Sequence, residues 1–135
     1  MYEGRMSRSV YISCDLDERD LPTVKSVQGF LNAQGCNVEF APTREDRGFY
    51  KALEKAIESC DAFVAIVGDG YTTSTGLNAE LHYANALRTH RILKRPRIFG
   101  MRINQLDLPN CSANITVEWI DEQSYKLLLE DILLP

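Results

Sequence analysis

Short strand-like segments alternate with helix-like segments along this chain, and that alternation constrains the fold more than any other feature. Five segments are short and rich in β-branched or aromatic residues, namely residues 9–13, 37–40, 62–67, 97–102 and 115–119. Strands that are separated by helices need crossover connections. Such connections make neighbouring strands parallel and place helices on both faces of the sheet.

Apolar residues recur at helical spacing between the predicted strands. Leu21, Val24, Val27 and Leu31 mark the first helix, and Gly35 is a stop signal behind it. Residues 49–60 and 77–87 repeat this one-sided pattern. A last helix is predicted from residue 121, where an aspartate is a good N-cap, to about residue 133. Residues 104–114 are predicted to form a loop.

This order of elements predicts one domain over residues 1–135, with an α/β, flavodoxin-like fold. The expected five-stranded parallel sheet has the order 2-1-3-4-5 with helices on both faces. A chain of 135 residues that is 44% hydrophobic can bury one continuous core. In such sheets ligands bind beyond the carboxyl ends of the strands where the crossovers diverge, here between the first and third strands. Residues 14–20 and 68–76 are therefore the expected functional segments.

Composition argues against several classes of partner. The formal net charge of −4 argues against a general attraction to nucleic acid or to anionic lipid. The longest strongly apolar run, residues 62–67, is far shorter than the roughly 20 residues of a transmembrane helix. The N-terminus carries no charged-then-apolar leader. We therefore expect a cytoplasmic protein with no nucleic-acid partner and no membrane partner.

The cysteines do not form a recognisable pattern. Cys14, Cys36, Cys60 and Cys111 include no CxxC pair and lie at no zinc-ligand spacing from a histidine. Free thiols are therefore expected, and no metal site is predicted.

One acid lies on the inward face of a predicted helix. In residues 71–81, "YTTSTGLNAEL", Glu80 falls within the apolar arc of the helical wheel. A carboxylate there is costly to bury, so it should be hydrogen-bonded, reach a cleft or have a raised pKa. Ser74 or Thr75 can cap the helix, and Gly76 leaves room beside the acid. The alternative is a structural acid that pairs with an arginine or a backbone amide.

Two motifs together resemble a known family. "VYISCDLDERD" reads as a strand ending in Ile-Ser, followed by an acidic loop. "AIESCDAFVAIVGDGYTTSTGLNAEL" reads as a helix, an apolar strand and a segment in which Tyr71, Ser74, Glu80 and Leu81 are spaced as in Tyr-x-x-Ser-x-Trp-Cys-x-x-Glu-Leu. Both motifs are similar to those of the TIR (Toll/interleukin-1 receptor) domain family, especially its prokaryotic branch. The resemblance extends over about residues 9–87.

This resemblance implies cleavage of the bond between nicotinamide and ribose in NAD, with Glu80 as the catalytic residue. NAD is then a substrate, and no cofactor is expected. One carboxylate is a credible requirement, because nicotinamide leaves from a ring that is already cationic and needs no general acid. The residues expected to bind the substrate are Ser13, Cys14, Asp15, Phe40, Gly48, Phe49, Gly68, Tyr71, Ser74 and Gly76.

The same resemblance implies a loop that closes over the site and contacts between copies of the domain. The segment "TREDRG", residues 43–48, matches the family's flexible loop after the second strand, with Gly48 as its hinge. Self-association through TIR–TIR contacts is the expected protein partnership.

A second enzyme family offers a related interpretation. "GLNAELHYANA" is similar to the Gly-x-x-x-Glu-x-Gly-x-Ala region of nucleoside 2-deoxyribosyltransferases, with Gly76, Glu80 and Ala84 in place and His82 where that pattern has glycine. In that family the glutamate attacks the sugar carbon and forms a covalent intermediate. Both families therefore use a glutamate at an N-glycosidic bond.

Two further alternatives are not glycosidases. Gly76 and Leu77 replace the Trp-Cys pair of the TIR motif, and Cys14, Asp15 and Asp17 stand where the first-strand loop of active members often has a basic residue. Both departures favour a non-catalytic adaptor. A response-regulator receiver would use Asp15, Asp17 and Asp69, but it also needs a lysine at the end of the fifth strand. The sequence around Trp119 provides none.

Overall fold

The computed structural model describes residues 8–15, 20–39, 50–68, 70–71, 74–92, 95–103 and 118–121. Within them the strands form one sheet of order β2-β1-β3-β4-β5, in which every neighbouring pair is parallel. The strands are β1 (Ser9–Cys14), β2 (Asn37–Glu39), β3 (Ala62–Val67), β4 (Arg97–Arg102) and β5 (Glu118–Asp121). The helices are α1 (Leu21–Ala33), α2 (Tyr50–Ser59) and α3 (Thr75–His90). The predicted α/β fold with a parallel sheet is confirmed.

Helices cover both faces of this sheet, and successive residues of β1 point to opposite faces. Val10 and Ile12 pack in one apolar cluster with α1, whereas Tyr11 packs in the other with α2 and α3. All six residues of β3 are buried, as expected for a central parallel strand that is covered on both sides. Ser13 has the same parity as Tyr11, so its side chain also points towards α3.

Local sequence signals lie at the ends of α1 and α3. α1 has a proline in its first turn, and it is followed by Gly35, whose φ of +90° favours glycine. α3 begins after Ser74, whose hydroxyl accepts a hydrogen bond from the Leu77 amide at 3.1 Å. Of the two predicted cap candidates, Ser74 is the N-cap, and Thr75 is the first residue of α3.

The edges of the sheet differ from the predicted bounds. β2 ends at Glu39, and Phe40 lies outside the described residues. β5 extends to Asp121 instead of ending at residue 119, because β4 continues to Arg102 and Asp121 pairs with it. The loop predicted over residues 104–114 and residues 122–133 of the predicted last helix lie outside the described ranges. The predicted start of that helix, Asp121, is the last residue of β5.

The three described cysteines, Cys14, Cys36 and Cys60, are buried and free, as predicted. Cys111 lies outside the described residues. In the described part of the chain, every helix is too short or too polar to cross a membrane.

Candidate active site

A serine on the central strand and a glutamate on α3 meet at the carboxyl end of the sheet. Ser13, next to last in β1, donates a hydrogen bond from its hydroxyl to Oε1 of Glu80 at 2.9 Å. Glu80 is partly buried and lies on the face of α3 that carries the buried residues Leu81 and Ala84. The inward orientation predicted from the helical wheel is therefore confirmed.

Tyr71, which follows β3, extends this contact into a chain of hydroxyl groups. Its side chain is fully buried, and its hydroxyl lies 2.8 Å from the Ser13 hydroxyl. A serine hydroxyl has a single hydrogen, which Ser13 gives to the Glu80 carboxylate. Tyr71 is therefore the donor to Ser13, and the direction of donation is Tyr71 to Ser13 to Glu80. Hydrogen bonds linked in this way polarise one another, which strengthens the hydrogen bond to the Glu80 carboxylate.

Tyr11 is a second tyrosine near the same carboxylate, and the sequence reasoning did not identify it. Its ring stacks on Phe63 with centroids 5.7 Å apart and the planes 19° apart. Its buried hydroxyl has no partner within hydrogen-bonding geometry among the described residues. Glu80 is nevertheless close enough that its charge, after burial itself, raises the pKa of Tyr11. The signal that could have found it is its position two residues before Ser13, on the same face of β1.

The environment of Glu80 favours its protonated form more than water does. Burial raises the pKa of Glu80, while the hydrogen bond from Ser13 and the nearby Tyr11 hydroxyl lower that pKa and only partly offset burial. Among the residues that the structure describes, no lysine or arginine forms an ion pair with this carboxylate. The alternative of an acid paired with an arginine therefore has no support in the described part of the chain.

The segment between β3 and α3 is braced by the side chain of Asn78. Its amide nitrogen donates to the backbone oxygens of Ser74, at 2.7 Å, and Tyr71, at 3.2 Å. The Tyr71 amide in turn donates to the Gly68 oxygen at 3.1 Å. These bonds fix the backbone that carries the Tyr71 hydroxyl. The Ser74 hydroxyl serves the start of α3, and its predicted contact with substrate stays a prediction.

Two buried acids pack against the two glycines that follow β3. Asp15 and Asp20 are only 3% and 5% exposed. A side chain at Gly70 would collide with the Asp15 carboxylate, and one at Gly68 would collide with that of Asp20. These glycines are therefore required for close packing of the strand ends.

Cys14 lies beside these acids and is not a nucleophile in this environment. Burial, followed by the nearby charges of Glu80, Asp15 and Asp20, raises the pKa of the Cys14 thiol to about 12. The thiol therefore stays protonated near neutral pH and behaves as a small apolar side chain.

The structure brings some of the predicted site residues into contact and leaves others outside its described part. Ser13, Tyr71 and Glu80 are joined by hydrogen bonds. Gly76 is exposed in the first turn of α3, with the Ser74 hydroxyl 4.0 Å from where its side chain would begin. Phe40, Gly48 and Phe49 lie outside the described residues. Within the described ranges, no three histidine, cysteine or acidic residues are grouped so that they could hold a metal ion.

Comparison with known proteins gives a family and a fold. A family model described as the TIR domain matches residues 10–131. Among solved structures, the chain is similar to the CMP N-glycosidase of Clostridium botulinum, with a TM-score of 0.64 and 21% identity. That alignment covers 91% of this chain and 98% of the other, and at this level of identity it shows a shared fold. Curated protein sequences include no match.

Proposed function

This chain belongs to the TIR domain family, and on that premise we propose that it cleaves an N-glycosidic bond, that between nicotinamide and ribose in NAD. Glu80 is the catalytic carboxylate of this proposal. The observation that carries it is the 2.9 Å hydrogen bond by which Ser13 holds Glu80 at the carboxyl ends of β1 and β3. Ligands of doubly wound parallel sheets bind at this place.

The proposed chemistry needs one carboxylate and one water molecule. The bond between C1′ of the ribose and the nicotinamide nitrogen breaks, and its electron pair neutralises the cationic ring. Positive charge develops on the ribose, where the Glu80 carboxylate stabilises it electrostatically. Water then adds to C1′ and releases a proton, which gives nicotinamide and ADP-ribose. Tyr71 and Ser13 hold the carboxylate so that it need not reorganise as the charge forms.

Burial of Glu80 serves this chemistry in two ways. A partly buried carboxylate interacts with a nearby cation more strongly than an exposed one does, because the local dielectric constant is lower. Burial raises the pKa of Glu80, and among the described residues no cation pairs with its carboxylate. A cationic nicotinamide ring or a developing oxocarbenium ion would supply that charge and favour the ionised form.

A second candidate substrate is a nucleoside 5′-monophosphate. The solved structure of similar fold is that of a CMP N-glycosidase, and the raised pKa of Glu80 favours this candidate in one respect. A neutral base such as cytosine leaves more readily when an acid protonates it, and a carboxyl group with a raised pKa can supply that proton. Glu80 has a role in either reaction.

Release of free base from purified protein tests the proposal. NAD and CMP are each incubated with the natural chain and with Glu80→Gln, and nicotinamide and cytosine are separated by chromatography. Nicotinamide release that is lost in Glu80→Gln supports the proposal, whereas release of cytosine alone moves the substrate to the second candidate. Release of neither base by folded protein, over a wide range of protein concentration, contradicts the enzymatic proposal and favours an adaptor.

Self-association and a cytoplasmic location also stay predictions. Sedimentation across the same range of concentration tests self-association. If contacts between copies support turnover, the specific activity should rise with the fraction of assembled protein.

A further inference from the structure

The Tyr11 hydroxyl is a buried polar group that the core does not require. Tyr11 is 1% exposed, and its hydroxyl has no partner within hydrogen-bonding geometry among the described residues. A hydroxyl in that state costs stability, because it has lost water and gained nothing in exchange. A phenylalanine would fill the same space without that cost. The presence of the hydroxyl therefore calls for a role other than packing.

We propose that Tyr11 is a positioning residue, which, together with Ser13, determines the charge state and orientation of the Glu80 carboxylate. Its effect on Glu80 does not depend on the proposed function. Its effect on rate rests on the proposed function.

The rigidity of Tyr11 makes it suited to this role. It lies on the central strand β1, in register with Phe63 of β3, and its ring stacks on that phenylalanine. The hydroxyl therefore has a fixed place, whereas the Glu80 side chain has three rotatable bonds. A carboxylate has two oxygens, and Ser13 donates to Oε1. The carboxylate keeps further acceptor capacity, which the Tyr11 hydroxyl can use when the Glu80 side chain rotates towards it.

The direction of the effect follows from the chemistry of the donor. A hydroxyl directed at a carboxylate stabilises its ionised form, and the nearby Tyr11 hydroxyl lowers the pKa of Glu80. Removal of this hydroxyl should make Glu80 harder to ionise.

Other titratable groups lie near Glu80 and can affect its titration. Around the carboxylate, β1 contributes Tyr11 and Cys14, and the segment after β3 contributes Tyr71. Asp15 and Asp20, at the end of β1 and the start of α1, act on Cys14.

The neighbouring helix α2 offers a matched control. It places Glu58 against Tyr83, on a more exposed side of α3. Tyr83 is hydrogen-bonded to Glu58, and the charges that act on it are those of Glu58, Glu54 and Arg91, not that of Glu80.

The test is Tyr11→Phe, which keeps the ring and its stacking on Phe63, with Tyr83→Phe as the control. Carbon-13 NMR of labelled glutamate follows the titration of Glu80 in each variant. In Tyr11→Phe we expect Glu80 to titrate at higher pH than in the natural chain, and in Tyr83→Phe at the same pH. The midpoint of thermal unfolding should be unchanged or higher in Tyr11→Phe, because an unpartnered buried hydroxyl is removed.

Turnover gives a second readout if the proposed function holds. Tyr11→Phe should lower kcat about tenfold with KM nearly unchanged, which is within the strength of one hydrogen bond to a charged group. The acid limb of the pH–rate profile should move to higher pH together with the titration of Glu80.

Two results would overturn the inference. One is a Glu80 titration in Tyr11→Phe that coincides with that of the natural chain. The other is a fall in thermal stability that accompanies any loss of activity, which would make Tyr11 a structural residue. The NMR titration needs no substrate, so it decides on Tyr11 even if neither NAD nor CMP is cleaved. If Tyr11→Phe still releases free base and its Glu80 titrates at the same pH as in the natural chain, the inference about Tyr11 is refuted and the proposed function is not.

Discussion

The Ser13 hydroxyl lies 2.9 Å from Oε1 of Glu80 and so joins the end of β1 to the second turn of α3 across 67 positions of sequence. Both ends of the bond are fixed. Ser13 is in a central strand that pairs with β2 and β3, and α3 begins at a capped residue, Ser74. The fold therefore aims one carboxylate at the place where ligands of such sheets bind.

Ser13→Ala should affect both stability and the ionisation of Glu80. Without the hydroxyl, the Glu80 carboxylate and the Tyr71 hydroxyl each lose a partner, which should lower the free energy of unfolding by about 1–3 kcal/mol. The pKa of Glu80 should rise further, because a donor to its ionised form is gone. Urea unfolding and NMR titration measure the two effects.

The control for this variant is Ser59→Ala, at the exposed end of α2. Its hydroxyl donates to backbone oxygens of the same helix. This variant should change stability by less than about 0.5 kcal/mol. Equal effects of the two serine substitutions would contradict the role given to Ser13.

Glu80 should make stability depend on pH in a direction opposite to that of most carboxylates. The pKa of Glu80 in the folded protein is raised above the ordinary 4.5. At pH values between 4.5 and the folded pKa, the folded state therefore binds more protons than the unfolded state. Its contribution is fully present below pH 4.5 and is lost as pH rises through the folded pKa. Glu80→Gln removes this dependence.

Thermal unfolding of the natural chain and Glu80→Gln, compared across pH, measures this effect. The stability of Glu80→Gln relative to the natural chain should increase as pH rises from about 4 to 8. A difference between the two proteins that is constant with pH would show that burial does not perturb Glu80.

Asn78→Ala should loosen the segment that carries Tyr71. Two hydrogen bonds from the Asn78 amide to the backbone oxygens of Tyr71 and Ser74 are lost, at a cost of roughly 1–3 kcal/mol in unfolding free energy. Hydrogen exchange at the amides of residues 70–78 should accelerate more than exchange in β3. Asn85→Ala, on the same helix, is the matched control and should have a much smaller effect. Similar exchange in both variants would refute the bracing role.

Two glycine substitutions should change the stability of the protein in opposite directions. Gly70→Ala places a methyl group where the buried Asp15 carboxylate lies, so the strand ends must shift, at a cost of about 1–3 kcal/mol. Gly29 is inside α1, and nothing lies within 4 Å of the position of an added methyl group. Gly29→Ala should therefore stabilise the protein by about 0.5–1 kcal/mol. Chemical denaturation measures both changes in stability. A Gly70→Ala variant as stable as the natural chain would contradict the close packing of Gly70 against Asp15.

The order of elements could be predicted because each one carries a strong local signal. β3 is a run of six apolar residues, and α1 combines apolar spacing with a positive-φ glycine at its end. The end of β5 could not be predicted in this way. Asp121 is a poor strand former, and it belongs to β5 because β4 extends to Arg102 and pairs with it.

The candidate site could be predicted only in part. Glu80 stood out because an acid within an apolar arc conflicts with the helical pattern, and its contact with Ser13 agrees with the predicted sheet order. Tyr11 was missed because a tyrosine in a strand is ordinary, and only the three-dimensional structure shows its hydroxyl near a carboxylate. Asn78 was missed as a brace for the same reason, since its partners are backbone oxygens.

The rate of free-base release by Glu80→Gln, compared with that of the natural chain, tests the central claim most directly. Glutamine preserves the size of the side chain and can still accept from Ser13, so the fold should be kept while the negative charge is removed. We predict release of nicotinamide from NAD, or of cytosine from CMP, by the natural chain and a loss of roughly 100-fold or more in Glu80→Gln. Equal rates of release by two equally folded proteins would contradict a catalytic role for Glu80.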